Sequence, residues 1–132
     1  MNKVCLTGRI TKDLDIRKTQ SGKSVLEFHI AIQRDRKNQN GEYLVDFIKV
    51  ICWEQKADYL NSYAKKGTMV GVVGRIETNV FQNQEGKKVL DVFIQAENVE
   101  IINQPQSRGV DSGVKSYYRN EVETTIDEET PW

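Results

Sequence analysis

Phe47, Lys49, Ile51 and Trp53 recur at every second position, with Asp46, Ile48, Val50 and Cys52 between them. Successive side chains of an extended chain point to opposite faces, so the two sets line different faces. If Ile48, Val50 and Cys52 face a core, two rings and an ammonium group stand on the outer side. Such a face stacks nucleobases of any sequence on its rings and holds phosphate with its cation. The reverse assignment, with Phe47 and Trp53 in the core, has the same period, and spacing alone leaves both open. Phe81 is a further ring, placed just before Asn83-Gln84-Glu85-Gly86. By itself it reads more often as a core residue or hairpin anchor. Arg34, Arg36 and Lys37 charge the segment 33–43, which also reads as a solvated hairpin.

Other chemistries find little support. His29 alternates with Phe28 and Ile30 and has no evident partner, whereas a general base needs a positioned one. The carboxylates are scattered, and Gly71 and Gly74 do not have phosphate-loop spacing. One histidine and two cysteines fall short of a zinc site. Cys5 and Cys52 read as reduced thiols in core or half-buried strands. The expectation is therefore a binding protein, not an enzyme, with no cofactor and no metal.

The elements that would carry these residues are mostly strands. Val4, Leu6 and Ile10 alternate with Lys3, Cys5 and Arg9, and Phe28, Ile30 and Ile32 repeat the pattern in segment 24–34. Asn40-Gly41 predicts a hairpin turn before a strand over 44–53. Segment 54–66 is expected to be a helix. Ala57, Leu60 and either Tyr63 or Ala64 share its face, Lys65 and Lys66 sit at the negative end of its dipole, and Gly67 caps it. Strands over 69–81 and 88–102 flank a turn at Glu85-Gly86, and Gly71 and Gly74 permit the bends of a closing barrel. Three strands, a helix and two strands match the order of an all-β, five-stranded OB-fold barrel with its short helix between strands 3 and 4.

The chain has 132 residues and no formal net charge. That neutrality hides an asymmetry. Residues 1–104 carry 16 Lys/Arg against 13 Asp/Glu, while residues 105–132 carry 3 against 6. A mildly basic body and an acidic tail are what a nucleic-acid binder with a separate acidic segment would show. The composition changes from Asn103, a linker starts at Gln104-Pro105, and 110–125 lacks apolar periodicity, so 1–104 is expected to be one domain and 105–132 a disordered tail. The tail ends Asp127-Glu128-Glu129-Thr130-Pro131-Trp132, and a terminal Trp is unusual for a mere solubiliser. No apolar run approaches membrane-span length, and the N-terminus lacks a signal-peptide apolar region, so a cytoplasmic location is expected.

An ordered series of segments resembles the single-stranded DNA-binding proteins of bacteria, most closely the forms of Gram-positive bacteria and their phages. The series comprises Val4 to Asp13, Ile16-Arg17 with Ser21-Gly22, Val25 to Ile32, and Asp46-Phe47-Ile48-Lys49-Val50. It continues through Tyr63-Ala64-Lys65-Lys66-Gly67, Gly74-Arg75-Ile76 with Phe81, and Gln95-Ala96-Glu97-Asn98-Val99. The resemblance implies an OB-fold, usually a homotetramer, that wraps single-stranded DNA without sequence preference. It implies base stacking at Phe47, Trp53 and Phe81, and basic positions near the DNA path at Arg17, Lys49 and Lys66. It also implies a tail tip, here Asp127, Glu128, Glu129, Pro131 and Trp132, that binds replication, recombination and repair proteins.

Departures from the family pattern are specific. Lys18 and Arg36 stand where the family often has aromatics, and Glu77 and Asn79 where basic residues often precede the last stacking ring. A guanidinium plane also stacks on a base, so Arg36 is a candidate DNA contact. The family tip usually ends in Pro-Phe; this one ends in Pro-Trp after a short linker, which fits a phage-encoded or accessory form. An RNA-binding OB module and a protein-interaction subunit of replication are the alternative readings.

Overall fold

A computed structural model describes residues 1–105. Strand β1 (Val4–Ile10) is followed by a two-residue strand β2 (Arg17–Lys18), then β3 (Ser24–Lys37) and β4 (Tyr43–Trp53). Helix α1 (Glu54–Tyr63) comes next, and β5 (Met69–Gln82) and β6 (Lys88–Asn103) complete the order. The strands are ordered β1-β5-β6-β4-β3-β2, and a β1–β3 pairing closes five of them into a barrel. The expected all-β barrel is therefore present, with α1 between its third and fourth strands. The addition is β2, a short edge strand paired on β3.

Closure depends on two residues without side chains. β1 lies along β5 from Val4 to Arg9 and reaches across to β3 at Arg9↔Ala31 and Ile10↔Ile30. A Cβ on Gly8 would stand 2.7 Å from the Ala31 carbonyl oxygen, so only glycine permits that crossing. On β5 the register against β6 slips between Val73↔Asn98 and Gly74↔Ala96. The bulge presses Gly74 onto the backbone at Gln95, where a Cβ would overlap the carbonyl oxygen.

The interior is filled from every barrel strand. Ile10, Leu26, Ile30, Val50, Cys52, Val70 and Val72 are buried, with Phe28, Ile94 and Ala96 beside them. Helix α1 plugs the barrel with Ala57 and Leu60, and Ala64 packs at the edge of this cluster while Tyr63 stays exposed. The helix is shorter than the sequence predicts. It ends at Tyr63, and the cap residue Ala64 is already extended, with no basic residue in the last turn. Lys65 and Lys66 belong to the following turn, where Thr68 N–H donates to the Lys65 carbonyl. Gly67, at φ +90°, serves that turn and donates to the Ile10 carbonyl. Contact with β1 thus stops the helix before the expected Gly67 cap.

The hairpin turns share one construction. Asn38 Oδ1 accepts from the amides of Asn40 and Glu42, and Asn83 Oδ1 accepts from Glu85 and Lys87. Gly41 and Gly86 take the positive φ in each, but Asn40 does not. The Asn40-Gly41 turn is therefore a side-chain-anchored loop instead of the two-residue hairpin that the dipeptide alone suggests. Strand pairing extends to Lys37↔Tyr43, so much of the polar stretch 34–42 belongs to a hairpin arm. Among the described residues, no helix is long and apolar enough to cross a membrane, and no group of three or more His, Cys, Asp or Glu could hold a metal.

Candidate nucleic-acid interface

The question left open by spacing is decided by burial. Val50 and Cys52 are fully buried and Ile48 packs on the core, so Phe47, Lys49, Ile51 and Trp53 lie on the outer face of β4. Directly paired residues share a face, and β3 sets Val25, Glu27, His29 and Ala31 opposite Trp53, Ile51, Lys49 and Phe47. β2 then sets Arg17 opposite Val25, which puts Arg17, Val25 and Trp53 in one row across three strands.

The face continues on the other side of β4. The parallel pairing Val50↔Ile94 assigns Ile94 to the interior, and so Asp91, Phe93 and Gln95 to the outer side of β6, where Phe93 is itself buried with Lys49 over its ring. Their antiparallel partners on β5 are Asn79, Glu77 and Arg75, and Phe81 follows opposite Val89. Phe47, Trp53 and Phe81 thus occupy one curved outer surface. Trp53 is 36% exposed and Phe81 51%, while Phe47 is half-buried. A cleft lined by Trp53, Glu54, Gln55, Lys56 and Ala96 lies beside the indole.

The charges are less uniform than the rings. Lys49 Nζ is 2.8 Å from Asp91 Oδ2 and 3.7 Å from Glu27 Oε1, and lies 5.9 Å above the Phe93 ring. Arg75 is bound by Glu77 on the same strand. Burial pushes the His29 imidazole below its ordinary value; Glu27 opposes that shift and Lys49 reinforces it. The imidazole is therefore neutral at neutral pH.

The remaining basic candidates lie at the margins. Arg17 is largely exposed, with Asp15 at 3.7 Å. Arg36 is exposed on the arm of β3, and Lys66 is exposed in the loop between α1 and β5, off the strand surface. Arg34 makes two hydrogen bonds to Asp46, at 2.7 and 2.9 Å, and these hold the Asp46 carboxyl below its usual range. Cys5 is exposed, contrary to expectation, because it points outward from β1; Cys52 is buried, which pushes its thiol up to about 12. Asp127, Glu128, Glu129, Pro131 and Trp132 lie outside the described residues.

Glu27, Asp91 and Phe93 are face residues that sequence reasoning did not single out, and His29 was weighed only as a catalytic base. Their alternation was legible. Their proximity to Lys49 depends on pairing between strands distant in sequence, which no local pattern encodes.

A closed five-stranded barrel with its helix between the third and fourth barrel strands defines the OB-fold class. A family model described as "Single-strand binding protein family" matches residues 1–102. The chain belongs to the single-strand binding protein family. Among its relatives, the single-stranded DNA-binding protein of Streptococcus mutans is 41% identical over 118 residues, covering 89% of this chain and 70% of the relative. Single-stranded DNA-binding protein 3 of Streptococcus agalactiae is 36% identical over 137 residues, covering 100% of this chain and 99% of that protein. Single-stranded DNA-binding protein 2 of Listeria monocytogenes is 36% identical, with 98% and 81% covered.

Proposed function

We propose that this protein binds single-stranded DNA without sequence preference and protects exposed strands during replication, recombination and repair. The observation that carries the reading is the outward placement of Phe47, Trp53 and Phe81 on the barrel of a chain that belongs to this family. Bases stack on those rings, while Arg17, Lys49, Arg36 and Lys66 supply charge along the strand's path. The function is binding, with no bond made or broken.

Residues 1–104 form the binding unit in this reading, and 105–132 the recruiting segment. The tip, Asp127, Glu128, Glu129, Pro131 and Trp132, takes partner proteins of replication, recombination and repair. An apolar pocket ringed by Arg or Lys would accept both the terminal indole and its carboxylate. The working form is a homotetramer in the cytoplasm, associated with the nucleoid or, for a phage gene, with host DNA.

Competition binding tests the reading. Labelled poly-dT bound to the full chain is challenged with unlabelled poly-dT, duplex DNA and poly-U. The expected order of competition places poly-dT well ahead of both. Equal or better competition by poly-U would move the assignment to an RNA-binding module, and competition by none would remove nucleic acid altogether.

A further inference from the structure

The charge environment of Lys49 does not match that of a free phosphate-binding cation. Its ammonium group contacts Asp91 at 2.8 Å and Glu27 at 3.7 Å. The Lys49 and Asp91 side chains keep only 21% and 29% of their surface in solvent, so this pair is less screened than the exposed bridges at Arg17 and Arg34. Around it, Glu77 is occupied by Arg75, Asn79 is uncharged and His29 is neutral. Besides Lys49, Lys12 also reaches this stretch electrostatically, lowering the His29 pKa, but Lys49 is the ammonium in direct contact with Asp91.

We propose that Asp91 sets the DNA affinity of the outer face by competing with a phosphate of the bound strand for Lys49. The inference rests on the single-stranded DNA reading given above. A strand laid across Phe47 and Trp53 brings a phosphate to Lys49, whose ammonium exchanges Asp91 for the phosphate oxygen. The carboxylate, now unpaired, takes up a salt cation. That uptake offsets the cation released from the phosphate, so the exchange contributes little to net ion release. Lys49 would thus add less to the salt dependence than the roughly 0.7 per phosphate contact typical of single strands. Glu27, further from the ammonium, competes in the same sense but more weakly.

The test is a double-mutant cycle on the full-length protein, with poly-dT titrated at several salt concentrations. Asp91→Asn keeps the side-chain shape and removes the competing charge. It is expected to tighten binding at low salt by roughly two- to fivefold, the range of such an ion pair, and to steepen the salt slope by up to about 0.7. Glu27→Gln should do the same to a smaller extent. In a Lys49→Ala background, Asp91→Asn should gain much less, because the group competed for is gone. An equal gain with and without Lys49 would reduce Asp91 to general repulsion and overturn the proposal. So would unchanged or weaker binding by Asp91→Asn with parental folding by circular dichroism, since Asp91 would then be inert or would position Lys49. Failure of the parent itself to bind poly-dT refutes the functional reading instead, so the two failures are distinguishable.

Discussion

Single side chains on the outer face divide into those the fold leaves open and those it engages. Trp53 and Phe81 are open, whereas Lys49 is held by two carboxylates and His29 is half-buried. The histidine gives a measurable consequence. Its folded-state pKa lies below the unfolded value, so the unfolded chain binds the proton more readily. The associated stability is complete above the ordinary histidine value, about 6.5, and is lost as pH falls below it. Asp46 and Glu97, held low by hydrogen bonds from Arg34 and Lys3, act only further down, in the carboxylate range. Urea midpoints should therefore fall between pH 7 and pH 5.5 in the parent and change less in His29→Gln. A parallel fall in both proteins would place the acid sensitivity elsewhere.

The elements turn these side chains into a surface. β4 runs straight into α1, and Glu54 at that junction has a left-handed φ of 53°, uncommon for a residue with a Cβ. The junction fixes Trp53 while α1 turns inward to bury Leu60. Leu60→Ala should cost about 2–5 kcal/mol, read from urea unfolding; a loss below 1 kcal/mol would mean that α1 is not the barrel's plug. The β3–β4 arm carries Arg36 beyond the closed part of the barrel. Arg36→Ala should weaken poly-dT binding. Loss without a change in salt slope would assign it stacking, and a flatter slope a phosphate contact; undiminished affinity would remove the arm from the DNA path.

Local patterns were legible at this scale because alternation and turn residues act over a few positions. The strands, the shared side of Phe28, Ile30 and Ile32 and the interrupting helix all follow from period. The end of α1 did not, because a contact between Gly67 and Ile10 overrides the capping signal. Nor did the outward side of Phe47 and Trp53, which period leaves two-fold ambiguous until the opposite face is seen to be core. Asp91 beside Lys49 was out of reach, since a parallel β4–β6 pairing bridges 42 positions in the chain.

For the whole molecule, the division of charge matters more than its sum. A basic body and an acidic C-terminal segment cancel over the full sequence, yet the two parts act on different partners in the proposed function. Three carboxylates at the tip repel phosphate, so deletion of 126–132 should leave poly-dT affinity equal or slightly higher. The same deletion should abolish pull-down of replication and recombination proteins from host lysate, and Trp132→Ala should nearly do so, whereas Trp132→Phe retains most of it. Recovery of the same partners by the truncated chain would place recruitment on the barrel.

The central claim, that single strands bind by stacking on the outer face of the barrel, is tested most directly by Trp53 itself. The chain has two tryptophans, and Trp132→Phe leaves Trp53 as the only indole. Titration of that variant with poly-dT should quench its emission to saturation. Phe47→Ala and Phe81→Ala in the same background should each weaken the binding by about 1–3 kcal/mol, the cost of one lost stack. Saturable binding with no quenching of Trp53, and with affinity untouched by either alanine, would contradict the account.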